Sequence, residues 1–237
     1  MEARPDNRAK PLVAVVCHGQ VFHDRPAQYA TEAFLAPVAQ AGGSTLLVPA
    51  LPEVVDIKTI ARVCDALLLT GSQTNVSPQQ YGCDHHEPDA NPDRDAVSLN
   101  LAEAMISAGR PVLGICLGMQ ELAVLYGSTL RRLECNMHMA QRDWRDVSIF
   151  GHKHDVDLVT SRMVTMAGAS KVPVVSAHRQ AICQISSELT IEAEAEDGTI
   201  EAFRADEIGR VTGVQWHPER MASALDAALF RHLTELA

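Results

Sequence analysis

Two short segments carry residue types that could do covalent chemistry together. The first, Gly114-Ile115-Cys116-Leu117-Gly118, holds a cysteine between two glycines, with an apolar run before it and helical spacing after it. This is the G-x-nucleophile-x-G pattern of a sharp strand-to-helix turn, with sulfur in place of the usual hydroxyl. A residue on such a turn sits in a strained backbone conformation, and its neighbours two positions away must be small. The thiolate is the reactive form of cysteine, and a helix N-terminus favours negative charge. Attack on an amide carbonyl builds an oxyanion that needs preorganised N–H donors. The backbone amides of Leu117 and Gly71, the latter at the end of another apolar run, are the candidates. Taken alone, Cys116 reads equally well as a small core residue beside a turn.

The second segment is Val214-Gln215-Trp216-His217-Pro218-Glu219, where an apolar strand runs into a histidine with a carboxylate two residues on. Thiol catalysis needs a base within hydrogen-bond reach, and the imidazole needs a partner to fix its tautomer and stabilise its charge. Pro218 restricts the backbone between the two, so Glu219 can return to the ring. A single histidine is more often a surface or capping residue. Both segments in one chain, each at a strand end, point to a Cys116–His217–Glu219 nucleophile, base and orienter.

The elements that must present these residues follow from periodicity. Short apolar, β-branched runs at Leu12–Cys17, Ser44–Val48, Ala66–Thr70 and Pro111–Ile115 read as buried parallel strands. Between them lie helical patterns over Ala27–Gln40, Ile57–Val63 and, after the Asn91 cap and Pro92, up to about Gly109, with a further helix at Leu117–Leu125. The βαβ rhythm predicts a doubly wound α/β domain. Residues 71–93, rich in Gly, Pro, Asn, Asp and Ser, read as a long loop, which at that length in a compact domain is usually functional or disordered. Beyond Gly127 shorter strands are expected near Asp155–Val159, Val172–Ser176, Ala181–Ile185, Thr190–Ala195, Ile200–Arg204 and Val211–Gln215, with a closing helix over Ala222–Leu236. Residues 1–10 are expected as a flexible tail, and 11–237 as a single domain.

With these motifs in place, the sequence resembles the class I glutamine amidotransferase-like proteins, through Gly114–Gln120 and Gln215–Glu219. The loop from Gly71 through Asn75, Pro78 and Tyr81-Gly82, followed by Glu87-Pro88 and Arg94-Asp95, is similar to the γ-glutamyl-γ-aminobutyrate hydrolase branch, of the peptidase C26 type. The resemblance implies a flavodoxin-like sheet flanked by helices, with a small extra β region in the C-terminal half. It also implies hydrolysis of a γ-glutamyl amide in polyamine breakdown, through a Cys-His-Glu triad. Val175–Gln180 resembles that branch's Asn-Ser-x-His-x-Gln segment. On that ground Gln120, Ser176, His178 and Gln180 are expected to hold the glutamyl part, and the loop with Asn75 and Tyr81 to shape the leaving-amine pocket. Val175 stands where the branch has Asn, and Leu117 where it often has Arg. Leu after the nucleophile is common in ammonia-supplying amidotransferases, so a glutaminase serving a partner synthase is the alternative.

Bulk properties exclude other classes. A formal net charge of −10 leaves no broad basic surface for nucleic acid. Hydrophobic residues make up 46% and charged residues 21% of the chain, which suits a folded globular protein rather than a disordered one. The polar start MEARPDNRAK is not a secretion signal and no run is long enough for a membrane span, so a cytoplasmic location is expected. The six cysteines lack short ligand spacing and are expected as mostly buried thiols. His85-His86 reads as a solvated loop, and His152 and His154 as alternating positions of a strand. Neither metal nor cofactor is required by the chemistry. The expected partners are a small γ-glutamyl amide and, as a homodimer, a second copy of the chain.

Overall fold

Strand residues of this chain alternate between two apolar layers, which is why the central strands are apolar throughout rather than on one face. The computed structural model describes residues 9–133, 138 and 150–237. Its first half contains β1 (Leu12–Val16), β2 (His18–Phe22), β3 (Arg25–Tyr29), α1 (Glu32–Gln40), β4 (Ser44–Val48), α2 (Ile57–Val63), β5 (Ala66–Leu69), α3 (Pro92–Ser107), β6 (Val112–Ile115) and α4 (Leu117–Leu125). The second half contains β7 (Thr129–Arg132), β8 (Lys153–Leu158), α5 (Ser161–Ala167), β9 (Lys171–Val175), β10 (Gln180–Gln184), β11 (Thr190–Ala195), β12 (Ile200–Arg204), β13 (Val211–Val214) and α6 (Ala224–Glu235).

One nine-stranded sheet runs in the order β4-β1-β5-β6-β13-β12-β11-β8-β9. The first five strands are mutually parallel, and β12, β11, β8 and β9 continue the sheet as antiparallel neighbours. The chain is therefore a single α/β domain. The small extra β region is the two-stranded ribbon of β7 and β10, and the other C-terminal strands extend the main sheet. Val16, Leu67 and Leu69 enter one layer with Leu101 and Met105 of α3 and Leu122 of α4. Val13, Val15 and Leu68 enter the other with Val38 of α1 and Leu225, Leu229 and Leu233 of α6.

Two expectations need correcting. The helix expected from Ala27 begins at Glu32, because Arg25–Tyr29 pairs as a strand with His18–Phe22. The hairpin turns at His23-Asp24, both with positive φ (49° and 61°), a region that His and Asp enter more readily than most residues. The apolar spacing favoured the helical reading, but a strand is decided by its partner. Helix α5 was also not expected. Thr160 starts it by accepting from the Met163 N–H at 3.4 Å, and Gly168 ends it in a left-handed conformation.

The expected tail falls mostly on residues outside the described set, as does Cys135. Of the other cysteines, Cys17, Cys64 and Cys116 are buried, Cys83 is partly buried and Cys183 is exposed, all as free thiols. Among the described residues no helix is long and apolar enough to cross a membrane.

Candidate active site

The carboxyl ends of β5, β6 and β13 are neighbours, so the residues that follow them meet at one edge of the sheet. Cys116 follows β6 directly, with φ 51° and ψ −103°, a conformation most side chains avoid. Its N–H donates to Val214 O of β13 at 2.8 Å, which fixes the turn against the neighbouring strand. The flanking glycines are required by contact. A Cβ at Gly114 would lie 2.5 Å from Gly118 O, and one at Gly118 would lie 2.3 Å from Leu69 O of β5. Leu117 opens α4, so its amide is among those the helix itself leaves without a partner. Gly71 lies against Cys116 and His217: a Cβ there would stand 3.0 Å from His217 Cε1 and 3.3 Å from Cys116 Cβ.

His217 follows β13, and its N–H donates to Val175 O at 2.8 Å. Pro218 starts a short 3-10 turn, Pro218–Arg220, that folds Glu219 back beneath the ring. His217 Nδ1 then donates to Glu219 Oε1 at 2.7 Å, leaving Nε2 for Cys116. All three side chains are buried. Burial alone would pull the imidazole pKa down, but the Glu219 carboxylate and the sulfur of Cys116 outweigh it and push it up to about 10. His217 is thus poised as an imidazolium beside the thiol, able to protonate a leaving nitrogen. Trp216, fully buried, donates from Nε1 to Asp226 Oδ1 at 2.9 Å and ties this strand end to the start of α6.

The position of Gly71 is secured from behind by Arg94, a buried residue of α3. Its Nη2 donates to Thr70 O at 2.7 Å, its Nη1 to Cys17 O at 3.1 Å, and its Nε to Glu121 Oε1 at 3.0 Å. One guanidinium therefore joins the ends of β1 and β5 to α3 and α4 directly behind the site. In front lies a cavity of about 590 Å³, bounded by Cys116, Gly71, His217, the hairpin residues His18 and Tyr29, and Phe150. That size is within the roughly 300–1,000 Å³ of small-molecule sites.

The sequence model of the peptidase C26 family matches residues 11–219. The chain belongs to the peptidase C26 family. It is 31% identical over 230 residues to the γ-glutamyl-γ-aminobutyrate hydrolase of Escherichia coli O157:H7, covering 93% of this chain and 91% of that one. It is 34% identical over 221 residues to a putative glutamine amidotransferase of Mycobacterium tuberculosis, covering 90% and 69% of the two chains. Similar folds include a glutamine amidotransferase from Thermotoga maritima (TM-score 0.65, 14% identity, 97% and 99% covered). The glutaminase domain of Trypanosoma brucei CTPS with bound acivicin is another (TM-score 0.65, 16% identity, 95% and 94% covered).

In this peptidase C26 member the remaining expected site residues part company. Asn75, Gln120 and His178 line the cavity. Gln120 Nε2 is committed to Gln180 O at 2.8 Å and Gln215 Oε1 at 3.1 Å, so only its carbonyl is left to accept from a ligand. His178 presents ring carbon to the cavity, because Nδ1 donates to Gln180 O at 2.9 Å and Nε2 points toward Glu201. Ser176, Gln180 and Tyr81 do not line it. Ser176 is fully buried and donates to His138 O at 3.0 Å, and the Gln180 side chain reaches Glu87 at 3.4 Å. Tyr81 packs into the core layer of α3.

Several lining residues escaped the reading of motifs. His18 and Tyr29 come from the unexpected hairpin. Burial of His18, together with Arg94, pushes its pKa down to about 3, so the ring is neutral. Arg179 lines the cavity beside Asp89, with nitrogen and oxygen 3.8 Å apart. Arg220 stacks 3.9 Å from the Phe150 ring centroid, and Phe150 in turn sets its edge toward His217. The dipeptide His178-Arg179 and the arginine after Glu219 were the available signals.

Proposed function

We propose that this protein hydrolyses a γ-glutamyl amide, such as γ-glutamyl-GABA or a γ-glutamyl-polyamine, to glutamate and free amine. The observation that carries the reading is the nucleophile turn of Cys116 facing a His217 already paired with Glu219 at 2.7 Å. The Cys116 thiolate attacks the γ-carbonyl, and the Leu117 and Gly71 amides receive the oxyanion. His217 gives its proton to the departing nitrogen, the C–N bond breaks, and a γ-glutamyl thioester remains on Cys116. Water then attacks the thioester as His217 takes its proton, releasing glutamate and the thiolate. Arg220 and Arg179 are the cations available for the substrate α-carboxylate, and Gln120 Oε1 is an acceptor for its ammonium. The relatives that are γ-glutamyl-γ-aminobutyrate hydrolases support this substrate class, with polyamine breakdown as the setting.

The test is a panel of γ-glutamyl-GABA and γ-glutamyl conjugates of putrescine, spermidine and spermine, with glutamate release as readout. The expected result is release from at least one conjugate by the wild type and none by Cys116→Ala. No release from any conjugate would overturn the reading. Leu117 after the nucleophile and the fold shared with glutaminase domains favour a second reading, ammonia supply to a synthase. Faster turnover of glutamine than of every conjugate would select it.

A further inference from the structure

A second group of chemically capable side chains lies behind the wall formed by His178. His138, between β7 and β8, His154 on β8 and His178 between β9 and β10 all turn one ring nitrogen toward the same oxygen, Glu201 Oε1 on β12. The distances are 3.1 Å from His138 Nδ1, 3.6 Å from His154 Nε2 and 3.5 Å from His178 Nε2. Glu201 is fully buried, and His138 and His178 nearly so.

The opposite nitrogen of each ring is already spent on an acceptor. His138 Nε2 lies 3.0 Å from Asp197 Oδ2, His154 Nδ1 lies 3.1 Å from Asp155 O, and His178 Nδ1 lies 2.9 Å from Gln180 O. Each of these acceptors can only receive a hydrogen, so each outer nitrogen is the N–H of its ring. In a neutral imidazole the inner nitrogen is then a lone pair. The lone pairs of His138 and His178, aimed at one carboxylate oxygen, repel it unless a cation lies between them. Protonating His138 alone would let it donate to both Asp197 and Glu201, yet would leave the inner lone pair of His178 facing the same carboxylate, and protonating both rings would crowd two buried charges with ring centroids 4.7 Å apart. Among the described residues, His138 Nδ1, His154 Nε2, His178 Nε2 and both Glu201 oxygens also lack any partner of hydrogen-bond geometry.

We propose that His138, His178 and Glu201 form a site for a divalent cation of the zinc class. Zinc binds imidazole nitrogen and carboxylate oxygen at about 2.0–2.2 Å, which sets the edges of its tetrahedron at about 3.3–3.6 Å. The distances of His138 and His178 to Glu201 Oε1 fall around that edge, and the three ligand atoms lie within 4.8 Å of one another, with His154 outside the group. Asp197 and Gln180 O orient the two rings from outside, as outer partners of metal-bound imidazoles do. Two nitrogens and one oxygen supply three ligands, which leaves the fourth tetrahedral position to water. The ion's local effect is to pin the segment of His178, whose neighbour Ala177 presents its carbonyl 3.9 Å from Cys116 Sγ.

The test is metal content and binding in the whole protein. After dialysis against zinc and then metal-free buffer, elemental analysis should find one zinc per chain. The chelator-stripped protein titrated with Co²⁺ should develop the visible bands of a tetrahedral nitrogen–oxygen site, without a thiolate-to-cobalt band, which would instead mark binding at Cys116. Zinc at one hundred times its Kd should raise the melting temperature by about 5–11 °C. Glu201→Gln and His138→Ala should each abolish the cobalt bands, and where a variant does not fold, the wild-type stoichiometry decides. No retained zinc, no cobalt spectrum and an unchanged melting temperature would overturn the proposal whatever the activity on γ-glutamyl amides.

Discussion

Replacing Arg94 with Met tests whether the framework behind the nucleophile depends on one buried cation. Arg94 is 1% exposed and Glu121 is fully buried, so the pair is screened from water. Burial raises the Glu121 pKa while Arg94 pulls it down, and without Arg94 the carboxyl must take a proton or remain as an unpaired buried charge. Removing one partner of such a pair costs about 3–5 kcal/mol. The carbonyls of Thr70 and Cys17 lose their donor at the same time. For a chain of this size the loss corresponds to about 6–20 °C in melting temperature. Arg94→Met with Glu121→Leu removes the orphaned charge, so the double variant should recover about 1–3 kcal/mol. Recovery should stay incomplete, because the two carbonyls remain without that donor. Urea denaturation of the four proteins of the cycle gives these differences directly. A single variant within about 1 kcal/mol of wild type, or a double variant less stable than Arg94→Met, would refute the reasoning.

Gly118→Ala drives a methyl to 2.3 Å from the Leu69 carbonyl, where only backbone can yield. It should cost about 3 kcal/mol and lower the melting temperature by about 6–12 °C, and a melt within ~2 °C of wild type would count against the contact. Glu219→Gln keeps an acceptor for His217 Nδ1 but removes the carboxylate that raises its pKa to about 10. The alkaline limb of kcat/KM should therefore move from about 10 toward neutrality, and the rate at pH ~8 should fall roughly 10²-fold. A limb that stays in place would assign the raised pKa to another cause. Arg220→Ala should raise KM about 10–100-fold with a smaller change in kcat if the guanidinium holds the substrate carboxylate, as steady-state kinetics can resolve.

What was legible in the sequence is what short-range physics decides. Gly114 and Gly118 mark a turn whose steric demand is local, Asn91-Pro92 starts α3 through its own cap at 3.1 Å, and strand β6 and helix α4 follow from apolar spacing. Proximity of Cys116 to His217 was inferable because both end strands of a parallel sheet. The hairpin of β2 and β3 was not legible, since pairing rather than propensity makes Arg25–Tyr29 a strand. Arg94, in the first turn of a helix, resembles a solvated charge until its partners Cys17, Thr70 and Glu121 are brought from 77, 24 and 27 residues away. The histidine cluster has no short ligand spacing either: its members arrive from a loop, a strand and a second loop, and Glu201 from a strand three places along the sheet from β9. Charged and polar residues are the least predictable from pattern because their role depends on distant partners.

That division also locates specificity. The proposed reacting groups sit on strand ends whose backbone is fixed by neighbours on either side: Cys116 N–H by Val214, His217 N–H by Val175, and Gly71 by the clamp of Arg94 on Thr70. Side chains there cannot vary without moving the chemistry, as the 2.3 Å and 2.5 Å contacts at Gly118 and Gly114 require. The cavity walls are different. His18 and Tyr29 hang from a hairpin, Asn75 and Asp89 from the loop before α3, and Arg179 and Arg220 from connections after β9 and β13. These segments lie outside the main sheet and answer to none of its ladders, so they can change while the Cys116–His217–Glu219 geometry is kept. The choice of amine should therefore respond to substitutions in the hairpin and the loop, whereas substitutions at strand ends should lower turnover of every amide alike. Exchange of Tyr29 or Asn75 that alters kcat/KM uniformly across the conjugate panel would place the specificity elsewhere.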